Sequence, residues 1–345
     1  MYSLNSALIQ MTMRRMILAG PQGFPDVLQE QRISSRDVMW LHLLNRRKLD
    51  ALDRLPISLF RISYDRLDVG RGGLDDDLFE RTCIRLTMVT ETINFAITNK
   101  TNPLISIGFD NEGFDRFRHE PFLRRLMMIQ KGGFKVGLRC DLASLELKPD
   151  NPEAQLSDCL RIILGELKHQ RANGGKRMGR VRDWNAELTS GDVVAERLLK
   201  DGVTPKLVTA HVGLPERVNS LHRKLRRENR VGPKGGGRIG SHSSSIEKMP
   251  RHALLFMSIY LLLAKNPETR INALAFSLAL NEYRLIWSYL NFSEADTLDA
   301  SECWLLASGY RSQEVAVVEC SSCRQIKIQD RRKASTCHWC NTIKA

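Results

Sequence analysis

Cys320, Cys323, Cys337 and Cys340 form two Cys-x-x-Cys pairs with thirteen residues between them, a spacing that suits tetrahedral coordination of Zn²⁺ by four thiolates. Four protein ligands leave no open position for water or substrate. The expected cofactor is therefore one structural Zn²⁺, and metal-dependent hydrolysis is not expected of it. The same spacing also admits two disulfides or a redox pair. Ser321, Ser322, Arg324, Lys333, Ser335 and Thr336 flank the pairs, and their backbone N–H groups can support the sulfurs.

A second set of residues is cationic. The chain carries a formal charge of +13, and from Gly165 to Gly240 seventeen Lys and Arg face eight Asp and Glu. A localised positive block is the electrostatic footprint of a polyanion, because each neutralised phosphate releases counterions. A merely solvated face has the same composition. Within the block the spacing predicts three short helices, Val193 to Lys200, Thr204 to His211 and Pro215 to Asn229. Thr204 is placed as N-cap, Pro205 and Pro215 at first helical positions, and Gly202 and Gly213 at the breaks. Val194, Leu198, Leu207, Val208, Val212, Leu214, Val218, Leu221 and Leu225 are the candidate core. Arg217, Asn219, Ser220, Arg223, Lys224, Arg226 and Arg227 then face outward on the third helix, the arrangement of a helix-turn-helix reader of a DNA groove. Arg217 and Asn219 are placed to reach base edges, and Arg223 to Arg230 to reach phosphates. The turn is one residue tighter than in most such motifs, and an ordinary basic helix fits the same pattern. Lys234 and Arg238 extend the candidate set into the Gly-rich loop 231–240, whose small residues let backbone N–H groups approach phosphate oxygens. That loop lacks the Gly-Lys-Ser/Thr ending and the strand-to-helix context of a nucleotide-binding loop.

Carboxylates that would hold Mg²⁺ for nucleic-acid chemistry reduce to Asp75, Asp76, Asp77 and to Asp110, Glu112, Asp115. The first trio is equally a helix start and the second a turn. No catalytic residue is assigned, and an enzyme is not the expected reading.

These groups need elements to carry them. The expected fold class is mainly α with a small α+β central module, a helical DNA-binding domain and a C-terminal four-cysteine zinc lobe. Apolar residues at helical spacing predict helices over Leu4 to Leu18 and Ser35 to Leu55, and Ser58 to Tyr64 has strand character. A helix is predicted from Leu74 to about Asn99. Leu104 to Phe109 is expected as strand, Glu120 to Gln130 as helix, Phe134 to Leu142 as strand and Pro152 to His169 as helix. Arg251 to Ala264 and Ile271 to Leu290 read as apolar helices, with Trp287 and Tyr289 as core aromatics. Five segments follow: 1–103, helical; 104–170, α+β; 171–190, a basic Gly-rich linker; 191–310, the DNA-binding domain; and 311–345, the zinc lobe. Ala253 to Ala264 is too short to cross a bilayer, and the N-terminus lacks signal-peptide character, so neither membrane nor export is expected. Cys83, Cys140, Cys159 and Cys303 have no framework spacing and read as small buried hydrophobes of a reducing cytoplasm.

From about Val193 onward the order of features resembles the C subunit of the flagellar master transcriptional activator family, FlhC. The residues that carry this are Ala195-Glu-Arg-Leu-Leu199, Val218-Asn-Ser-Leu-His-Arg-Lys-Leu225, Pro233-Lys-Gly235 and the cysteine pairs, which lie a few residues closer together than in that family. More faintly, Met13 to Leu18, Asp37 to Leu55, Ser58 to Ser63 and Leu74 to Asp77 resemble the D subunit, FlhD. Residues from Leu104 to Trp184 match neither. The resemblance implies a fused, zinc-stabilised activator of transcription. Its implied partners are promoter DNA, RNA polymerase and either further copies of itself or a D-type subunit, in a bacterial cytoplasm. By analogy alone it also implies control of conjugative-element transfer rather than of flagella. A zinc-stapled adaptor that binds only protein, and a nucleic-acid-processing enzyme with a zinc ribbon, are the competing expectations.

Overall fold

Side-chain caps set where the first helices begin, and one of them divides what the apolar spacing marks as a single helix. In the computed structural model Ser34 and Asp37 form a reciprocal cap, Asp37 N donating to Ser34 Oγ at 3.1 Å and Ser34 N to Asp37 Oδ2 at 2.9 Å. This starts α2 (Ser35–His42). Asn45 then accepts from Lys48 N at 3.0 Å and begins α3 (Arg46–Asp53), so the helix expected over Ser35 to Leu55 is two helices. The structure describes residues 4–31, 33–64, 87–90, 92–94, 97–98, 101–109, 114, 117–120, 125, 129, 134–172, 191–231, 241–333 and 337–340. The chain divides into two compact units, Met1–Gly179 and Arg180–Ala345. The division falls within the stretch 171–190.

The first unit opens with α1 (Leu4–Gln31), broken at Gly20, where φ is 63° and ψ is −177°. Asn5 ties it to the region after α3, its Nδ2 donating to the carbonyls of Leu52 and Ile57 and its Oδ1 accepting from Leu59 N. Strand β1 (Phe60–Tyr64) pairs antiparallel with β2 (Phe134–Leu138), Phe60 opposite Leu138 and Ile62 opposite Val136. Described residues among 87–98 are helical, as are Arg125 and Ile129 within the helix expected over Glu120 to Gln130. The strand expected over Phe134 to Leu142 ends at Leu138, because Asp141 caps a short 3₁₀ turn, Leu142–Ser144.

The strand expected over Leu104 to Phe109 is instead α4 (Pro103–Ile107). Asn102 accepts from Leu104 N at 3.0 Å, Pro103 occupies the first turn, and Gly108 ends it at φ 61°. α5 (Pro152–Ala172) is buried nearly all round, as a core helix must be. Gly165 lets it lie against the chain after β2: a Cβ there would sit 1.8 Å from the Arg139 carbonyl oxygen.

Charge is also buried in this unit. Arg139 has no exposed side-chain surface, and its guanidinium donates to the carbonyls of Ser58, Ile105 and Leu104. Its Nε lies 3.5 Å from Glu166, which also faces Arg61 at 3.5 Å. Burial lowers the Arg139 pKa and the Glu166 carboxylate opposes that shift.

The second unit comprises α6 (Gly191–Asp201), α7 (Pro205–Val212), α8 (Pro215–Arg227), α9 (His242–Lys248), α10 (Pro250–Leu263), α11 (Ala273–Tyr289), α12 (Ala300–Arg311) and a hairpin of β3 (Val315–Glu319) and β4 (Ile326–Asp330). α10 is buried from His252 through Leu263 and forms the centre. Phe256 packs on Phe276 at 5.7 Å and Tyr283 at 6.2 Å, and Phe276 on Trp304 at 4.9 Å. Trp287 is half-buried and Tyr289 is 53% exposed, so the latter is not the core aromatic its apolar surroundings suggest. The buried stripe of α11 passes through Tyr283, Ile286 and Leu290 and turns Tyr289 outward. Cys159 and Cys303 are fully buried and Cys140 half-buried, while Cys83 lies outside the described residues.

Candidate metal centre and nucleic-acid interface

The hairpin β3–β4 brings the first cysteine pair into position. Its tip is closed by Cys320 N donating to the Gln325 carbonyl at 2.8 Å and by Arg324 N donating to the Cys320 carbonyl at 2.9 Å, with Arg324 at φ 58°. In the second pair Cys337 precedes the short helical turn at 338–340 and Cys340 ends it, and Trp339 anchors that turn by donating from Nε1 to the Ile326 carbonyl at 2.8 Å. Trp339 is 5% exposed, and the cysteine spacing by itself does not mark it as part of the site. Its only signal was its place between two ligands.

Lys333 Nζ lies 2.8 Å from Glu247, and Arg332 Nη2 2.7 Å from His242 Nε2, which fastens the hairpin to α9. Gly309 lets the hairpin also lie close to α12, since a Cβ there would meet Val315 Cγ2 at 2.7 Å.

The four Sγ atoms lie within 4.8 Å of one another, with Cys320 to Cys340 at 3.8 Å and Cys323 to Cys337 at 3.7 Å. Four sulfurs at tetrahedral corners about 2.3 Å from a central ion would be about 3.8 Å apart. The donor set therefore fits a metal ion, and the four cysteines are free thiols. Backbone N–H groups of Cys323 and Ser322 hold the Cys320 thiol pKa down to about 6. Sulfur neighbours, Cys323 first, push Cys340 up to about 12, and burial raises Cys337. Thiols this close resist ionising together until a cation joins them. Ser335 and Thr336 lie outside the described residues.

The three helices expected after residue 190 are present, within two residues of their expected ends: α6, α7 and α8. Gly202 and Gly213, at φ 95° and 77°, separate them. Leu198, Val208, Val218 and Leu225 are buried, whereas Val194, Leu207, Val212 and Leu221 are half-buried. Leu214, expected in the core, is 40% exposed because it sits in the two-residue turn between α7 and α8. Thr204 occupies the N-cap position without a side-chain cap bond, and its backbone N–H donates to Ser301 Oγ at 3.1 Å.

α6 is joined to α11 through Asp201, which accepts from Ser277 Oγ and whose carbonyl accepts from Arg284 Nη2 at 2.8 Å. Burial raises the Asp201 carboxyl pKa. His211 on α7 meets Trp304 on α12 edge-on at 5.0 Å.

Arg217, Asn219, Ser220, Arg223, Lys224, Arg226 and Arg227 of α8, and Arg230 just beyond it, are all exposed; Arg223 and Arg227 lie opposite the buried Val218 and Leu225, and Arg217 and Arg226 flank them. Arg217 Nη2 lies 2.6 Å from Asp192 on α6, and Arg230 lies 3.1 Å from Glu228. Among the described residues, Arg223, Lys224, Arg226 and Arg227 have no carboxylate within 4 Å. Asp192 was not anticipated: it reads as an ordinary acidic first-turn residue, and only the packing of α6 on α8 shows its partner. Lys234, Arg238, Asp75 to Asp77, Asp110, Glu112 and Asp115 lie outside the described residues. Among the described residues no helix is long and apolar enough to cross a membrane.

The chain matches no family model, no curated protein and no solved structure.

Proposed function

We propose that this chain is a transcription activator that binds duplex DNA through α8 and whose C-terminal lobe is fixed by one zinc ion. The observation that carries the reading is the outward face of α8. Arg223, Lys224, Arg226 and Arg227 stand exposed there with no carboxylate within 4 Å among the described residues, on the third helix of a three-helix set. Cations with neither a packing role nor an acidic partner are the expected equipment of a phosphate-binding surface. Asn219 and Ser220, exposed beside them, are suited to hydrogen-bond base edges.

Four clustered thiolates are a soft donor set that favours zinc over oxygen-seeking ions. Cys320, Cys323, Cys337 and Cys340 would hold it, and it would supply a rigid crosslink between the hairpin and the last turn. No covalent chemistry enters this reading. The likeness of Val218 to Leu225 and of the cysteine pairs to FlhC supports activation over mere binding. It brings RNA polymerase, a D-type subunit or further copies of the chain as partners, in a bacterial cytoplasm.

The test is competition. The purified zinc-loaded chain is titrated onto promoter fragments from its own genome against random-sequence duplex. The reading expects some fragments to be preferred at least about a thousandfold. Equal affinity for every duplex would remove the activator reading, and metal analysis showing no zinc at stoichiometric level would remove the cofactor.

A further inference from the structure

The two halves of α8 differ in charge. Its first turn carries Glu216 and Arg217, and Arg217 is held at 2.6 Å by Asp192 of α6, so this end has no excess positive charge. Its other end carries Arg223, Lys224, Arg226 and Arg227 and no acid, and just beyond it Glu228 pairs with Arg230 at 3.1 Å. Of the acids of α6, Asp192 meets α8 directly and Asp201 is turned to α11. Beyond Asp192 lies Glu196, paired with Lys200 at 2.5 Å and lowered in pKa by that hydrogen bond, with Arg230 and Lys224 adding smaller effects.

At 3.6 residues per turn Arg217 and Lys224 share that edge, while Arg223 and Arg227 project from the face away from α6. Cations near a helix C-terminus complement its dipole, which accounts in part for Arg226 and Arg227. It does not account for an acid on a neighbouring helix that meets the one cation at the opposite end.

We propose that Asp192 withholds Arg217 from phosphate and so makes the C-terminal half of α8 the end that grips the duplex backbone. This rests on the DNA-binding reading above and sharpens it. A helix-turn-helix reader is expected to lead with its N-terminal residues. Here the N-terminal cation is engaged within the protein, and backbone contact is concentrated at Arg223, Arg226 and Arg227. Asp192 is thus a positioning residue. It touches no DNA and determines which side chain does.

The test uses the full chain, a fluorescein-labelled duplex of mixed sequence, and the slope of log affinity against log salt, which counts phosphate contacts. Arg227→Gln is expected to lower the slope by about one, and Asp192→Asn to steepen it by about one as Arg217 becomes available. Arg217→Gln is expected to change the slope less than Arg227→Gln in the wild-type background and by about one in the Asp192→Asn background. Arg217 and Arg227 are exposed and Asp192 is half-buried, so circular dichroism melting of each variant checks that the fold is common to the set. Equal losses from Arg217→Gln and Arg227→Gln, or an unchanged slope in Asp192→Asn, would overturn the proposal while leaving DNA binding intact. A wild-type chain with no salt-dependent affinity would overturn both.

Discussion

Arginine serves opposite ends in the two units. In the first, Arg139 is fully enclosed, its guanidinium shared among three backbone carbonyls and Glu166. In the second, Arg223, Arg226 and Arg227 project from α8 with nothing acidic within 4 Å among the described residues. A buried charge survives only where the fold supplies its hydrogen bonds and counter-charge, so removing it leaves those partners stranded. An exposed cation contributes little to the fold and stays free for a polyanion. The comparison shows that the charge excess of the chain cannot be read as one surface. Part of it is internal scaffold, part is engaged by Asp192, and part, at Arg223, Lys224, Arg226 and Arg227, is exposed with no carboxylate within 4 Å among the described residues. The cysteine cluster is a parallel case, since four thiols within 4.8 Å of one another, two buried and two half-buried, could hold a metal ion.

That contrast can be broken at several points. Cys337→Ser should have the largest effect, because three thiolates retain metal poorly and structural zinc supplies roughly 10–16 kcal/mol of apparent binding free energy to such lobes. Metal content and proteolysis of the C-terminal lobe report it, and wild-type zinc stoichiometry in the variant would contradict it. Arg139→Ala should cost the first unit about 3–5 kcal/mol, read as a shifted denaturation midpoint with DNA affinity at low salt retained.

Asp158 gives a pH signature in the same unit. Burial pushes its carboxyl up to about 6, against the backbone N–H groups of Glu146 and Leu147 and against Arg161. The folded state then holds a proton that the unfolded state has released. Stability should be greatest below about pH 4 with respect to this group, fall between about pH 4 and pH 6, and level off above, by ~3 kcal/mol at most. Asp158→Asn should flatten that interval. Smallest of all, single Arg→Gln changes on α8 should move stability by no more than about 0.5 kcal/mol.

Legibility followed punctuation. Pro205, Pro215, Gly202 and Gly213 marked α6 to α8 closely because each acts through backbone restrictions that need no tertiary partner. The cysteine spacing was readable for a similar reason: ligand geometry limits it. Leu104 to Phe109 misled because a short apolar run with two isoleucines suits either period, and Asn102 and Gly108 decided for helix. Asn45 caps α3 from inside a continuous apolar stripe, where nothing in the spacing distinguishes it from a surface residue. Arg139, Glu166 and Asp192 were unreadable in a stricter sense. Their partners lie 25 to 105 residues away in the chain, and charge patterning along one helix cannot report a neighbour's acid.

The central claim is that the exposed cations of α8 exist for a polyanion and not for the fold. Arg223, Arg226 and Arg227 changed together to Gln in the full chain test it most directly, by salt-dependent duplex affinity and thermal melting on one preparation. The account predicts a salt slope lower by about three with unchanged melting and zinc content. Undiminished affinity, or a melting transition that falls along with it, would contradict the account.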